Sequence, residues 1–298
     1  MMIYQAELVL DVQAELGEGI FWHPIEHCLY WLDIEGCSLN KFDPKTRINL
    51  AEQLDRQVGC VVPTTEKSLL LAGEGGIEEY WSETEEWAFL ANPEEDKPNN
   101  RLNDGKASPD GRFWFGSLNR NHEKNQAAFY VMEHDGTVRR ILTGLTNSNG
   151  IGWSPNGETL YHIDTPTRQV SAFDYDAEHG DICNRRTLVQ FPESPEYGNP
   201  DGMTVDAEGM LWIAHWGGSR VTRWNPTSGE IIAAVNVPAS QVTSVAFGGE
   251  NFDTLYITTA RRSLSLESLR RQAYAGGLFA VTPGVAGLPT HFFQWEED

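Results

Sequence analysis

The feature that most constrains the fold of this chain is a repeat of short apolar segments about 45 residues apart. Six segments have the character of β-strand cores, and their starts are separated by 40, 44, 47, 51 and 44 residues: 29–32, 69–72, 113–116, 160–163, 211–214 and 255–258. Most follow a turn sequence such as that of residues 108–111, where Pro and Gly favour a tight hairpin. A repeat of this length containing several short strands is typical of a propeller blade.

The repeat therefore predicts an all-β fold, a six-bladed β-propeller with four-stranded antiparallel blades. Additional strands are expected at Glu7–Leu10, Leu278–Val281 and residues 290–294, where the N- and C-terminal strands together complete one blade. This pairing closes the ring and removes an exposed sheet edge. Only residues 263–274 have a brief helical pattern. Residues 1–298 are predicted to form one domain.

The charge excludes several classes of partner. With 22 Lys and Arg against 43 Asp and Glu, the net charge is −21, which disfavours nucleic acids and anionic membrane surfaces. The N-terminal residues lack the basic region of a signal peptide, and no apolar run is long enough for a membrane helix. We expect a cytoplasmic protein, a monomer or weak dimer, whose partner is a small molecule.

The four cysteines do not have the spacing of a metal site or of a disulfide framework. Cys28 and Cys37 would pair if a hairpin brought them together, but free buried thiols are the favoured interpretation. His23, His162 and His215 lie in or beside predicted strands, where packing in the core or the channel wall is expected.

Polar side chains recur at one position of the repeat. Each blade's first strand runs from the central channel to the first turn, so counting back five residues from each turn gives equivalent positions near the channel mouth: Glu18, Gly59, Asn103, Asn149, Asp201, and Thr243 or Ser244. Asn-Gly and Asp-Gly pairs are also common turn formers, so any single position taken alone favours a loop. Four oxygen-bearing side chains converging on one axis favour a site.

These side chains predict a metal centre. Two carboxylates close together repel each other unless a cation lies between them. Carboxylate and amide oxygens are hard ligands. We expect Glu18, Asn149 and Asp201 to bind one divalent cation, with Ca²⁺ favoured and Zn²⁺, Mn²⁺ or Fe²⁺ as alternatives.

The motifs around these positions resemble those of the senescence-marker-protein/gluconolactonase/regucalcin family. The matching segments run in family order from residue 16 to about residue 281: 16–19, 22–24, 29–34, 100–106, 147–151, 200–203, 258–261 and 275–279. The resemblance implies a six-bladed propeller that hydrolyses sugar lactones to aldonic acids with one divalent metal. Bacterial members acting on pentonolactones such as xylono- or arabinolactone look especially similar near residues 258–277.

Carried over by position, the family's metal ligands fall on Glu18, Asn149 and Asp201, and its substrate contacts on Arg101 and Asn103. Where some members place a substrate-contacting Glu, this chain has Asn121, which would make that contact. The cation would polarise the lactone carbonyl, and Asp201 is expected to position or deprotonate the attacking water.

Two other classes of function are open at this point. A non-catalytic calcium-binding regulatory protein would need the metal ligands but not Arg101 and Asn103 together. Another propeller hydrolase, such as an arylesterase or phosphotriesterase, would share the architecture, since a fold alone does not decide a function. A serine hydrolase is disfavoured because the sequence has no G-x-S-x-G motif.

Overall fold

A computed structural model describes residues 1–296, which form antiparallel strands almost throughout. The chain begins with β1 (Met2–Gln5) and β2 (Glu7–Leu10), and four four-stranded sheets follow. Sheet 1 contains β3 (Gly17–His23), β4 (Cys28–Asp33), β5 (Ser38–Asp43) and β6 (Ile48–Gln53). Sheet 2 contains β7 (Val58–Pro63), β8 (Leu69–Gly73), β9 (Gly76–Trp81) and β10 (Glu86–Ala91).

The next two sheets repeat this plan. Sheet 3 contains β11 (Asn100–Ala107), β12 (Phe113–Asn119), β13 (Ala127–Met132) and β14 (Val138–Leu145). Sheet 4 contains β15 (Ser148–Trp153), β16 (Thr159–Asp164), β17 (Gln169–Asp176) and β18 (Asp181–Gln190). In each of the four sheets, consecutive strands pair antiparallel, so each sheet is a simple up-and-down meander.

The fifth sheet has nine strands and two halves. The first half contains β19 (Asn199–Val205), β20 (Leu211–Trp216), β21 (Arg220–Asn225) and β22 (Glu230–Asn236), with β1 paired in parallel to β22. The second half contains β23 (Gln241–Gly248), β24 (Thr254–Ala260) and β25 (Leu278–Val281), with β2 paired antiparallel to β25. A single residue pair, Trp216 with Gln241, joins the halves.

The first strands of these units pack against one another around a channel. In order, β3, β7, β11, β15, β19 and β23 each contact the next, and β23 contacts β3. Because neighbours cover both faces of these strands, every residue of β7, β15 and β23 is buried. The fourth strands lie at the outer edge of the units, and all residues of β6 and β10 are exposed or only partly buried. The predicted strand cores are β4, β8, β12, β16, β20 and β24, the second strand of each unit.

The hairpin turns between first and second strands also agree with the sequence. The N–H groups of Gly111, Gly157 and Gly209 donate to the residue three positions earlier at 2.8–2.9 Å. These glycines have φ of 86°, 72° and 80°, a region in which a side chain is strained.

The terminal strands agree with the prediction in part. Glu7–Leu10 pairs with Leu278–Val281 as expected. The expectation of a strand at residues 290–294 was wrong: Phe293 makes only an isolated bridge with Thr64. Its N–H donates to Pro63 O and the next N–H to Gly111 O, so the segment contacts two different sheets and follows no single strand edge.

The helical content is small. Helix α1 (Leu266–Arg271) lies within the predicted helical stretch, and the hydroxyl of Ser265 caps it by accepting from the N–H of Ser268 at 3.1 Å. A short 3₁₀ helix spans Thr165–Thr167. Among the described residues, no helix combines the length and apolar character needed to cross a bilayer.

All four cysteines are free, as favoured from the sequence. Cys28 and Cys60 are buried, Cys37 is partly buried and Cys183 is exposed.

Candidate active site in the central channel

The site is built from irregularities in the six first strands. Each strand shifts register against its neighbour near the channel mouth: between Glu18 and Phe21, Val58 and Cys60, Leu102 and Gly105, Asn149 and Ile151, Pro200 and Met203, and Val242 and Val245. Such bulges interrupt the alternation of side chains and redirect them. The residues at these bulges are those selected by counting back from the turns.

Asn149 and Asp201 meet directly in the channel. The amide nitrogen of Asn149 donates to Asp201 Oδ1 at 2.5 Å, and both side chains are buried. Burial raises the pKa of Asp201 well above its ordinary value, the charge of Asp104 raises it further, and the Asn149 hydrogen bond opposes the shift. The fold thus disfavours the charged form of Asp201.

Glu18 faces the same group of charges. Burial is the main cause that raises its pKa well above the ordinary value, followed by the repulsion of Asp201 and Asp104. The N–H of Gly19 and the guanidinium of Arg101 act in the opposite direction. The structure therefore brings the three predicted ligands together in an environment that concentrates negative charge.

This donor set fits a divalent cation. A cation between Glu18 and Asp201 would offset their desolvation and mutual repulsion, and two carboxylates with one amide suit a hard ion. Within residues 1–296 no three His, Cys, Asp or Glu side chains form a metal-ligating group, and the third predicted donor beside the two carboxylates is the amide oxygen of Asn149. Its amide would have to turn over, because its nitrogen now faces Asp201.

Asp104 is a charged residue of the site that the sequence reasoning missed. It lies next to Asn103 within the bulge of β11, where three other bulges have Gly19, Gly150 and Gly202. Burial raises its pKa, while Lys106 and the N–H groups of Gly105 and Gly150 lower it. The departure from glycine at this position of the repeat is the sequence signal that identifies it.

Arg101 and Asn103 lie beside the carboxylates. Arg101 is 4% exposed, and its guanidinium donates to Leu102 O at 2.8 Å and to Asn103 Oδ1 at 3.1 Å. None of the ion pairs among the described residues includes it. Burial lowers its pKa to about 10, an effect that Glu18 opposes. A buried guanidinium without a carboxylate partner is suited to an anionic or strongly polar ligand.

At the position where the other units of the repeat have a polar residue, the second unit has Gly59. The absence of a side chain there makes room for the Arg101 guanidinium. A Cβ at Gly59 would lie 2.4 Å from Arg101 Nη1 and 2.4 Å from Leu102 O. Asn103 in turn donates to Asn147 Oδ1 at 3.2 Å and to Ser148 O at 2.9 Å. Asn103 is thus held by the neighbouring sheet, whereas Arg101 is hydrogen-bonded within β11 and packs against Gly59 of β7.

Asn121 is placed differently from the other predicted residues. It is exposed in the hairpin between β12 and β13, and its N–H donates to Asn119 Oδ1 at 3.0 Å. No side-chain hydrogen bond ties Asn121 to the buried cluster among the described residues. Its neighbour Arg120 lines a groove of about 210 Å³ together with Arg101, and pairs with Glu74 at 2.8 Å.

The channel continues behind the site as a cavity of about 100 Å³. Its walls include Asp104, Lys106 and Ser244, and residues 288–291 close the far end. The site therefore opens towards the mouth, where the strands begin, and the C-terminal segment covers the opposite end.

Comparison with known proteins adds independent information. Residues 16–261 match the family model described as "SMP-30/Gluconolactonase/LRE-like region". A Bacillus subtilis protein named as a sugar lactone lactonase, YvrE, is 36% identical over 276 residues, which cover 93% of this chain and 94% of that protein. Regucalcin of Xenopus laevis is 34% identical over 98% of this chain and 99% of its own length.

A solved structure resembles the fold closely. A calcium-binding protein, regucalcin, from Agrobacterium tumefaciens superimposes with a TM-score of 0.94 at 26% sequence identity, covering 99% of each chain. Relatives with lactonase names and relatives with calcium-binding names therefore both extend over nearly the whole chain.

Proposed function

This chain belongs to the SMP-30/gluconolactonase/LRE-like family, and from this membership we propose that it hydrolyses a sugar lactone to the aldonic acid with the help of a divalent cation. Candidate substrates are aldono-1,4- and 1,5-lactones such as xylono-, arabino- and gluconolactone. The observation that carries the proposal is Arg101, a buried guanidinium that has no ion-pair partner among the described residues and lies close to the Glu18 carboxylate.

Glu18, Asn149 and Asp201 are the residues that would hold the cation. When bound there, a divalent cation supplies Lewis-acid polarisation of the lactone carbonyl. Ca²⁺ is the favoured ion because every donor is an oxygen, and the calcium-binding relatives support this choice.

Asp201 is the proposed base. Water adds to the carbonyl carbon and loses a proton; the C–O bond of the ring then breaks, and the released ring oxygen takes up a proton and becomes a sugar hydroxyl. A bound cation would offset the burial and repulsion that raise the pKa of Asp201, so the carboxylate would be ionised and able to accept the proton that the water loses. The oxygen that is not engaged as a ligand would accept the proton.

Arg101 and Asn103 would bind the substrate. The planar guanidinium presents parallel N–H donors to the carboxylate that forms on ring opening, or to sugar hydroxyls. Asn103 keeps the guanidinium in place through its amide oxygen. Asn121 and Arg120, at the rim, would contact only the outer part of a substrate.

We also infer that the molecule has six blades. Hydrogen bonding merges two units into the nine-stranded sheet, but only the Trp216–Gln241 pair links them. Each half contains its own first strand facing the channel. Counting the halves separately gives the six blades expected from the repeat.

The proposed partner is a small neutral lactone, without nucleic acid or membrane, and the proposed state is a cytoplasmic monomer or weak dimer. The net charge of −21 supports the exclusion of polyanions.

A calcium-binding regulatory protein is the second candidate, favoured by the regucalcin relatives. It would need Glu18, Asn149 and Asp201 but has no use for an unpaired buried arginine. Burying an unpaired guanidinium costs free energy, which a ligand contact explains and calcium binding alone does not.

One panel separates these functions. The purified protein is assayed with aldonolactones, aryl esters and organophosphates, each with added Ca²⁺, Mn²⁺ or Zn²⁺ and with a chelator. We expect hydrolysis of at least one lactone that the chelator abolishes and metal restores. Metal binding without turnover of any substrate would support the regulatory alternative, and preferred turnover of aryl esters or organophosphates would assign a different hydrolase.

A further inference from the structure

We propose that Asp104 and Lys106 are positioning residues that brace, from β11, the two bulges carrying Asn149 and Asp201. This inference rests on the proposed function, because it assigns a role in holding the residues that would bind the cation. Neither side chain is among the ligands or substrate contacts described above.

The bulge containing Asn149 is held by β11 on both sides of that residue. Asn103 donates to Ser148 O at 2.9 Å, immediately before Asn149. The N–H of Gly150, immediately after Asn149, lies near enough to the carboxylate of Asp104 to lower its pKa. Asp104 itself also accepts the N–H of Gly105 at 2.8 Å. Two adjacent residues of β11 thus fix the peptide groups that flank Asn149.

The bulge containing Asp201 is held by Lys106. Its Nζ donates to Met203 O at 2.5 Å, although the two residues are 97 positions apart in sequence. Met203 is the first residue after the bulge in which β19 resumes its pairing with β20. The contact therefore fixes the backbone two residues after Asp201 to a side chain from two sheets away.

The two bracing residues also act on each other. The carboxylate of Asp104 and the ammonium of Lys106, two positions apart on β11, attract one another, and both line the cavity behind the site. A charged side chain in such a place is costly unless it is paired. Loss of either one removes this attraction from the other, so we expect the two contacts to depend on each other.

A brace is needed because the ligands repel one another. Glu18 and Asp201 are pushed apart by their own charges, and a site that must stay open to water and substrate cannot rely on close packing to hold them. Groups that orient metal ligands typically change metal affinity or activity by 10- to 100-fold when removed.

The test uses Lys106→Met, Asp104→Ala and the double variant, measured in three ways. Calorimetry with Ca²⁺ and Mn²⁺ gives metal affinity, lactone assays give kcat and KM separately, and hydrogen exchange follows the metal-free protein. We expect K106M to bind metal at least about tenfold more weakly, to lower kcat more than it raises KM, and to speed exchange in residues 148–150 and 201–203. The double variant should bind metal no more weakly than whichever single variant binds it less tightly.

The sign of the Lys106 effect is decisive. If Lys106 acted only through its charge, its removal would tighten cation binding, because the Lys106 ammonium and the metal ion are both positive and repel each other. Tighter metal binding by K106M, or affinity and kcat within twofold of the unchanged protein, would overturn the brace. If K106M does not fold, K106Q is the substitute; because it keeps a donor on a shorter side chain, we expect changes in the same direction but smaller than those of K106M.

Arg223→Met is the matched control. It removes a buried cation that pairs with Asp206 and Glu208, away from the predicted ligands. It should lower the melting temperature without changing metal affinity. If the unchanged protein neither binds metal nor hydrolyses lactones, the proposed function fails, whereas the exchange rates of the two bulges still decide the brace.

Discussion

At the scale of single residues, the channel mouth contains buried ionisable groups that lower the stability of the fold but are suited to the proposed reaction. Glu18, Asp104 and Asp201 are carboxyl groups whose pKa values are raised, chiefly by burial. Arg101 is a buried guanidinium whose pKa is lowered for the same reason. Groups held in unfavourable charge states are common at functional sites, because the surrounding fold supplies the free energy that keeps them there.

Asp201→Asn tests directly whether such a group lowers stability while serving the reaction. The amide cannot accept a proton from water, so we expect kcat for lactone hydrolysis to fall at least about 100-fold. Removing a desolvated and repelled carboxyl should leave the melting temperature of the metal-free protein equal to or above its original value. Lactone assays and thermal denaturation check both effects.

Asp135→Asn serves as the control for D201N, since Asp135 is an exposed turn residue bonded to Thr137. It should change neither kcat nor metal content. Retention of most of kcat by D201N would contradict the role of Asp201 as base.

The buried histidines make stability depend on pH. Burial lowers the pKa of His162 to about 3 and that of His215 to about 4. Below the unfolded value of about 6.5, the unfolded chain binds protons that the folded chain does not. The free energy of unfolding contributed by each histidine therefore falls with decreasing pH, by about 2 kcal/mol between pH 7 and pH 5.

His162→Gln should remove that part of the pH dependence. We expect denaturant unfolding at pH 7 and pH 5 to show a difference about 2 kcal/mol smaller than in the unchanged protein, although H162Q loses stability at both values. His179→Gln is the control: Asp176 raises the pKa of this exposed histidine, so its contribution has the opposite sign. An unchanged pH dependence in H162Q would show that His162 is not buried as a neutral group.

At the scale of elements, the bulge in each first strand positions the site. A regular strand alternates its side chains and would turn neighbouring residues to opposite faces. The bulge in β11 allows the adjacent residues Asn103 and Asp104 both to contribute to the site. The bulge in β19 directs Asp201, the residue after Pro200, into the channel. Small residues at these places allow other side chains to approach, as Gly59 does for Arg101.

Gly59→Ala should therefore displace the Arg101 guanidinium. The added Cβ would meet Arg101 Nη1 and the carbonyl of Leu102 at 2.4 Å each, so we expect a stability loss of about 1–3 kcal/mol and a raised KM. Gly144→Ala is a suitable control, because its φ of 73° is strained for alanine but no atom lies within 4 Å of the added carbon. A normal KM in G59A would separate Arg101 from substrate binding.

At the scale of the whole molecule, strands from the N-terminal and C-terminal parts of the chain pair and close the ring. Strand β2 from the N-terminus completes the unit that contains β25 from near the C-terminus. Residues 288–293 then cross the far end of the channel, where Phe293 is fully buried and the hydroxyl of Thr290 donates to Trp22 O at 2.6 Å. Strand β1, by contrast, adds only an outer, mostly exposed strand to β22.

Two N-terminal deletions distinguish these roles. Removing residues 1–5 takes away β1 alone and should lower the melting temperature by only a few degrees. Removing residues 1–11 also takes away β2 and leaves the edge of β25 unpaired, which favours aggregation. Thermal denaturation and size-exclusion chromatography should show a monodisperse first variant and an aggregated or unfolded second one; equal behaviour would show that β2 does not close the ring.

The sequence by itself determined the all-β architecture, the second strand of every unit and the position at which polar side chains enter the channel. It could do so because strand cores and hairpin turns depend on residues that are adjacent in sequence, and because the same pattern occurs in every unit of the repeat. It also indicated the family before any coordinates. The C-terminal segment was different: residues 290–294 have the composition of a strand, but their partners come from two sheets that are distant in sequence.

Only the tertiary structure decided which neighbours each polar residue has. The link from Lys106 to Met203 spans 97 positions, and the space that Gly59 leaves for Arg101 depends on the packing of two strands from different sheets. Asp104 was missed because its importance comes from charges on two other strands, Glu18 on β3 and Asp201 on β19. Local sequence patterns report the backbone, whereas the electrostatics of a site depend on distances that exist only after the ring has closed.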